Sequence, residues 1–327
     1  MELTTTYLGI RLPHPLVAGA GPLADDLDGV RQLEDAGASM IVLRSLFEEE
    51  ITGEQVAAVD AVDRYNDSFA EATSFEPEPL TALGPGEYLG YVSRVKSAVA
   101  VPVVASLNGT THGGWLTYAH QIEQAGADAL ELHLHHPASD TTASAADVER
   151  AFIDIVREVK RVVRIPVAVK LAPLFTAFAH FAHQVDAAGA DGLVLFTRFQ
   201  PVDIDVEALE VIRTRRLSDS ADLSLRLRGA AALSGRVRAS IAVSGGIHTG
   251  LDVIKATMAG AHATQIVSAL LRHGADRLRI IRLEAEAWML EHEWTSLNEM
   301  RGNMSLGRVP DPAAYERANF RAALRYA

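Results

Sequence analysis

Short apolar runs alternate with longer amphipathic stretches along this chain, and one pattern organises them. It appears four times, as LEDAGASMIVL (33–43), IEQAGADALEL (122–132), VDAAGADGLVL (185–195) and ATMAGAHATQIV (256–267). Each copy reads as the end of a helix, a glycine and a strand. Gly37, Gly126, Gly189 and Gly260 stand just past a helix, where a left-handed backbone closes the last turn. Between the copies lie LVAGAG (16–21), VPVVASL (101–107), IPVAVKL (165–171) and SIAVSGG (240–246). All eight runs are short and nearly continuously apolar, as parallel strands buried on both faces are. The segments between them are long enough for crossover helices. The pattern therefore predicts an α/β fold, a (β/α)8 TIM barrel, with residues 1–327 forming one domain. A doubly wound open sheet is the rival, but its G-x-G-x-x-G turn after the first strand is absent.

Period-two alternation assigns faces within the strands. On the fourth, Leu130, Leu132 and Leu134 point one way and Glu131, His133 and His135 the other. On the fifth, Val167, Val169 and Leu171 oppose Ala168, Lys170 and Ala172. The leucine and valine sets should pack under the helices, leaving Glu131, His133, His135 and Lys170 directed at the barrel axis. A charge there is costly unless it is paired or bound to a ligand. Two insertions are expected: a lid-like excursion from Phe47 to Gly90 after the second strand, and a second from Arg198 to Arg238 between the sixth and seventh strands. The arginines of the latter, Arg213, Arg215, Arg216, Arg226 and Arg228, read as a solvated basic face. A helix is expected from Leu278 to Met300, with Trp288 and Trp294 packing on the barrel or on a partner chain.

Composition narrows the function. Hydrophobic residues make up 48% and charged residues 22%, the balance of a globular protein with a sizeable core. The net charge of -12 disfavours nucleic acid and anionic membrane surfaces as partners. With no cysteine, thiolate metal sites, disulfides and a cysteine nucleophile are excluded. Met1 to Gly9 lack the pattern of a signal peptide, and charges interrupt every apolar run, so a cytoplasmic location without a membrane span is expected.

Barrel enzymes work at the C-terminal ends of their strands. The Ser244-Gly245-Gly246 turn and Ser268, after the seventh and eighth strands, suit a phosphate cradle made of backbone N–H groups. Gly245 and Gly246 could equally do no more than turn the chain.

At this point the residues meet a known family. LVAGAGPL, RSLFEEEI, ASLNG, ALELHLHHP, VAVKLAPLF, LVLFTRFQPVDID, VSGGIHTGLDVIKATMAGA and TQIVSALLRHG, at the first to eighth strands, resemble the class 1 dihydroorotate dehydrogenases in order and spacing. RGNMS and VPDPAAYERANF within 301–320 resemble the branch called dihydroorotate dehydrogenase-like. The resemblance implies an FMN across the barrel mouth, with its phosphate on Gly245, Gly246, Ser268 and Ala269 and its ring near Gly19, Ala20, Ser45 and Lys170. Arg44, where the family has a flavin-contacting lysine, and His133 and Thr197 on the substrate side complete the expected cofactor-binding set. Lys170 would stabilise the reduced flavin's negative charge. The resemblance further implies a CH–CH dehydrogenation or its reverse, in which hydride passes to or from flavin N5. The family's base stands at His136, where the true dehydrogenases have Cys or Ser; imidazole is a competent base near neutral pH.

The asparagines that clamp the orotate ring in the true dehydrogenases match His133, Ala138 and Thr197, and no loop asparagine motif is found where SFEPEP stands. A small substrate other than dihydroorotate is therefore expected. Barrels of this class often dimerise, so a homodimer is expected too. Two other readings stay open: a metal-dependent hydrolase using His133 and His135, and a flavin-binding scaffold without turnover.

Overall fold

The computed structural model of the chain describes residues 1–48, 50–51, 84–109, 115–134, 140–197, 202–213 and 216–325. A hairpin of β1 (Thr5–Tyr7) and β2 (Ile10–Leu12) precedes the main sheet. Six strands follow: β3 (Leu16–Ala18), β4 (Ile41–Phe47), β5 (Val103–Gly109), β6 (Ala129–Leu134), β7 (Val167–Leu171) and β8 (Gly192–Leu195). A second hairpin, β9 (Val202–Asp205) with β10 (Glu210–Arg213), comes before β11 (Ser240–Ser244) and β12 (Ala263–Ile266). The helices between β3 and β8 are α1 (Leu27–Asp35), α2 (Pro85–Ala98), α3 (Trp115–Gln124), α4 (Ala145–Val162) and α5 (Phe178–Ala187). Those after β10 are α6 (Leu223–Leu233), α7 (Gly250–Ala259), α8 (Ser268–His273), α9 (Arg277–Glu291), α10 (Leu297–Met300) and α11 (Pro312–Ala323).

The sheet closes in the order β11-β12-β3-β4-β5-β6-β7-β8, all parallel, so the chain is a (β/α)8 barrel. The eight predicted strands are the eight staves. Gly37, Gly126, Gly189 and Gly260 take φ values of 89°, 97°, 107° and 119°, the left-handed backbone expected after a helix. Caps start the helices where the sequence supplies them: Ser144 accepts from the Asp147 N–H ahead of α4, and Thr249 and Asp252 form a reciprocal box ahead of α7.

The strand faces divide the core as alternation requires. Leu130, Leu132, Leu134, Val167, Val169 and Leu171 lie in the shell between sheet and helices, where α4 adds Phe152, Ile155, Val156 and Val159. Each fully buried side chain of this kind contributes about 1.5–3 kcal/mol of transfer free energy. A separate inner cluster fills the barrel with small residues, Val17, Val104, Ala129, Ala168, Val194, Ala242 and Ala263, and Tyr7, Leu8 and Leu12 of the first hairpin plug its floor. Sequence periodicity gave no sign of this plug, because three-residue strands are too short to show a period.

Two expectations change. The helix expected from Leu278 to Met300 ends at Glu291; Glu293 turns the chain at φ 58°, and α10 resumes at Leu297. Tertiary contacts override propensity here: His292 stacks on Trp288 at 4.0 Å, and Trp288 and Trp294 pack against Leu3, Ile254, Met289 and Met300. Arg226 is not part of a solvated face but is 8% exposed, its Nε donating to the Ser244 carbonyl at 2.8 Å. It sits on the inner face of α6, and the carbonyls of Ser244 and Asp222 accept from its guanidinium. Arg215 and most of the Phe47–Gly90 excursion lie outside the described residues.

His14 and His262 are both buried, and each Nδ1 accepts a backbone N–H, from Leu16 and Ile241 respectively. Burial, helped by Arg282 near one and Arg301 near the other, pushes each imidazole down from 6.5 to about 4. Both are neutral in the fold and take up protons only when the chain unfolds below pH 6.5. Stability should therefore be full above that pH and fall towards pH 4, by up to about 3 kcal/mol per histidine. Urea unfolding at stepped pH measures this, and His262→Gln should reduce the slope.

Candidate active site

Strand register builds the site in tiers. Ser45 on β4 pairs with Ser106 on β5, Ser106 with Glu131 on β6, Asn108 with His133, and His133 with Lys170 on β7. These positions share the inward face, so the closed sheet carries a polar patch above its small apolar filling.

The lower tier is a closed hydrogen-bonded ring. Lys170 Nζ donates to Glu131 Oε1 at 3.0 Å, Gln265 Nε2 donates to Glu131 Oε2 at 2.6 Å, and Lys170 Nζ reaches Gln265 Oε1 at 3.4 Å. Glu131 is 1% exposed. A lysine and a glutamate inside a barrel are tolerated because each is the other's counter-charge and an amide takes the remaining oxygen. Beside them Ser45 Oγ meets Ser106 Oγ at 2.7 Å, and the buried Tyr88 hydroxyl accepts the Ser106 N–H at 2.9 Å. Burial first, and Glu131's charge among the lesser causes, keep the Tyr88 phenol neutral.

The upper tier joins three strands. His133 Nδ1 lies 3.1 Å from Asn108 Nδ2, and His133 Nε2 lies 2.8 Å from Thr197 Oγ1. Since the Asn108 amide nitrogen can only donate, Nδ1 accepts and Nε2–H donates to Thr197, which sets the tautomer of a neutral ring. The Thr197 N–H is anchored to the Leu171 carbonyl at 2.8 Å, holding the tip of β8 against β7.

The third element is the turn after β11. Gly245 and Gly246 take φ values of 88° and 80°, in the left-handed region. A Cβ on Gly246 would lie 2.5 Å from the Leu223 nitrogen, so this glycine lets the start of α6 pack against the turn. A Cβ on Gly245 would instead meet the Arg226 guanidinium at 3.1 Å. The Gly246 N–H donates to Ser218 Oγ at 3.3 Å, and the Ser218 N–H donates to Ser268 Oγ at 3.1 Å. His248 Nε2 stands 3.4 Å from Ser218 Oγ. Burial, then the Arg272 charge, pushes the His248 imidazole down. Ala269 is fully buried beside Ser268.

The remaining expected residues fall around this frame. Gly19 follows β3, and a Cβ there would come within 2.8 Å of Val267. Ala20 is half-buried over the inner cluster. Arg44, in the middle of β4, turns outward to Asp25 at 2.9 Å in a half-exposed ion pair. His135, His136 and Ala138 lie outside the described residues. Gln265 and Ser218 were not expected in the site. The signal for Gln265 was present, as a polar inward position in the buried run TQIV; Ser218, in a polar loop, gave none.

A closed β/α barrel with a glycine turn and serines at its last two strands, a buried lysine and a polar inner face is a barrel enzyme built to hold a phosphate-bearing cofactor at its C-terminal mouth. Comparison with known proteins gives the class its family. The profile described as dihydroorotate dehydrogenase matches residues 2–289, and the chain belongs to this family, whose members are FMN-dependent oxidoreductases acting on CH–CH groups. The chain is 26% identical over 306 residues to dihydroorotate dehydrogenase B (NAD(+)), catalytic subunit, of Thermoplasma acidophilum, covering 92% of this chain and 98% of that protein. It is 27% identical over 307 residues to the protein of the same description from Methanocaldococcus jannaschii, covering 92% and 97%. It is also 27% identical over 314 residues to a putative dihydroorotate dehydrogenase A (fumarate) of Aeropyrum pernix, again covering 92% and 97%.

The residues present fit FMN. Left-handed glycines and the hydroxyls of Ser218 and Ser268 lie together at the turn after β11, a donor set of the kind a phosphate takes, and Lys170 stands part-buried inside the barrel beside Glu131. The metal-hydrolase reading is not favoured: both ring nitrogens of His133 are engaged by Asn108 and Thr197, and among the described residues no group of three His, Asp or Glu could hold a metal ion. Among the described residues no helix is long and apolar enough to cross a membrane.

The two glycines of the turn should behave differently. Gly246→Ala combines left-handed strain with a clash against backbone and should cost roughly 2–5 kcal/mol. Gly245→Ala meets only the end of a long side chain and should cost less, which denaturant midpoints of the two variants measure.

Proposed function

We propose that this flavin-dependent barrel oxidises or reduces a CH–CH bond in a small polar substrate other than dihydroorotate. The observation that carries this reading is the commitment of both His133 ring nitrogens, to Asn108 and to Thr197. In the family, asparagines at the positions of His133, Ala138 and Thr197 present an acceptor and donors to the pyrimidine ring. Here one is an alanine, and the other two bond each other. A site built around hydrogen bonds to one ligand rejects it when those groups are replaced, because the ligand's polar edge goes unpaired.

When bound, FMN supplies a hydride acceptor or donor at N5. Lys170 holds its positive charge where reduction places negative charge. Gly245, Gly246, Ser268 and Ala269 seat the phosphate, and Gly19, Ala20, Arg44 and Ser45 border the ring. His136 takes the proton from the carbon adjacent to the one that yields hydride, a role its position in the sequence supports. The Thr197 hydroxyl accepts from His133, so its own proton is available to a substrate acceptor. The chain works as a cytoplasmic homodimer, in keeping with its resemblance to barrels that dimerise, and light scattering reads the assembly.

The purified protein should show the visible absorbance of oxidised flavin, and anaerobic dihydroorotate should leave it unbleached. Rapid bleaching would overturn the substrate reading and assign the relatives' substrate to this chain. For whichever dihydro compound bleaches the wild type, His136→Ala should slow flavin reduction by about 10²–10⁴-fold while leaving the flavin bound. An unchanged rate would remove His136 as the base.

A further inference from the structure

Lys170 is the group through which this barrel acts electrostatically on its cofactor, yet its surroundings assign nearly all of its fixed partners to one residue. Its side chain is 13% exposed, and its counter-charge is Glu131 at 3.0 Å, with a side chain 1% exposed. Glu131 has no recourse to solvent: Oε1 receives the ammonium, and Oε2 receives the Gln265 amide at 2.6 Å. β6, β7 and β12 thus each contribute one member of a ring that has a single arrangement. Near it the Tyr7 hydroxyl is fully buried and, among the described residues, has no hydrogen-bond partner.

We propose that Glu131, held by Gln265, is the positioning residue of the flavin site: as the buried counter-charge of Lys170 it fixes where that side chain stands and sets how much of its positive charge the cofactor feels. The reason is electrostatic. A lysine this far from water loses its proton readily unless an anion stands beside it, and the titratable or charged groups around the pair are few. Among the described residues they are Glu131 and His133 on β6, Tyr7 on the floor hairpin and Tyr88 on α2. Burial and then Glu131's charge push the Tyr7 phenol up, and Tyr88 is likewise held neutral. The neutral His133 ring adds no anion. Glu131 is thus the one carboxylate in this set, and the amide of Gln265 cannot replace its charge.

The proposal rests on the FMN assignment and not on the identity of the substrate, so its test uses no substrate. Glu131→Gln preserves shape and removes charge. In the apoprotein, Lys170 should be acylated by acetic anhydride at pH 8 at least about tenfold faster than in the wild type, tenfold being one unit of pKa. Mass spectrometry of the digest reads the rate at this lysine alone. In the flavin-loaded protein, the midpoint potential measured with a chemical reductant should lie above the wild type at pH 6, where an uncompensated ammonium favours the reduced anion. At pH 9 that excess over the wild type should shrink, because the lysine without its carboxylate partner is then part-deprotonated. Lys170→Met should lie below the wild type at both. An acylation rate and a potential profile indistinguishable from wild type in Glu131→Gln would overturn the proposal.

Should Glu131→Gln fail to fold, Gln265→Met keeps the charge and removes the amide that holds it. Lys170 should then be acylated two- to threefold faster by the same proportionality. An unchanged rate would overturn the clasp. Flavin that bleaches with dihydroorotate would change the substrate reading above and leave these results intact.

Discussion

Closure of the eight-stranded sheet is the constraint on which the rest depends. β12 pairs with β3 and β11 with β8, so every strand of the barrel has two hydrogen-bonded neighbours and no edge remains among the eight. Closure also divides the side chains into an outer set, which meets helices, and an inner set, which meets only other strands. The inner space is narrow. Alanines and valines fill it near the floor, and larger polar groups find room only towards the C-terminal rim.

The site is what such an interior can hold when a few inward positions become polar. An isolated charge there would be driven neutral, and the chain avoids this by pairing Lys170 with Glu131 and completing the pair with Gln265. Above the pair, Asn108, His133 and Thr197 satisfy one another and stiffen the rim. A polar network in which every member is bonded holds its geometry, whereas a half-bonded one would admit water and lose it. The lower ring joins Glu131, Lys170 and Gln265, and the upper one joins Asn108, His133 and Thr197.

At the turn after β11, helix packing and the hydrogen bonds of the loop meet at one residue. Gly246 is excluded from bearing a Cβ by the backbone of α6, yet its N–H faces the seat formed by Ser218 and Ser268. Arg226, buried behind the same turn, ties α6 to the end of β11 through the Ser244 carbonyl. The helix, the turn and the seat are one unit, so disturbance of the packing reaches the site directly.

Much of the fold was legible in the chain alone. The recurring glycine-then-strand pattern marked the staves, and alternation within ALELHL and VAVKL placed Glu131, His133 and Lys170 on the inner face, because a strand's two-residue period is a local property. The residues expected to form the site, Lys170, Ser45, Gly245, Gly246 and Ser268 among them, were named from their places on the strands and just beyond them. Their partners were not. Gln265 joins Lys170 from 95 positions away, Thr197 meets His133 across 64, and Ser218 reaches Ser268 across 50. Which inward side chains touch is decided by the stagger at which the sheet closes, a global quantity that no local window contains. The sequence by itself determined which residues look into the barrel; only the closed tertiary structure decided which of them face one another, because that depends on the register of strands far apart in the chain.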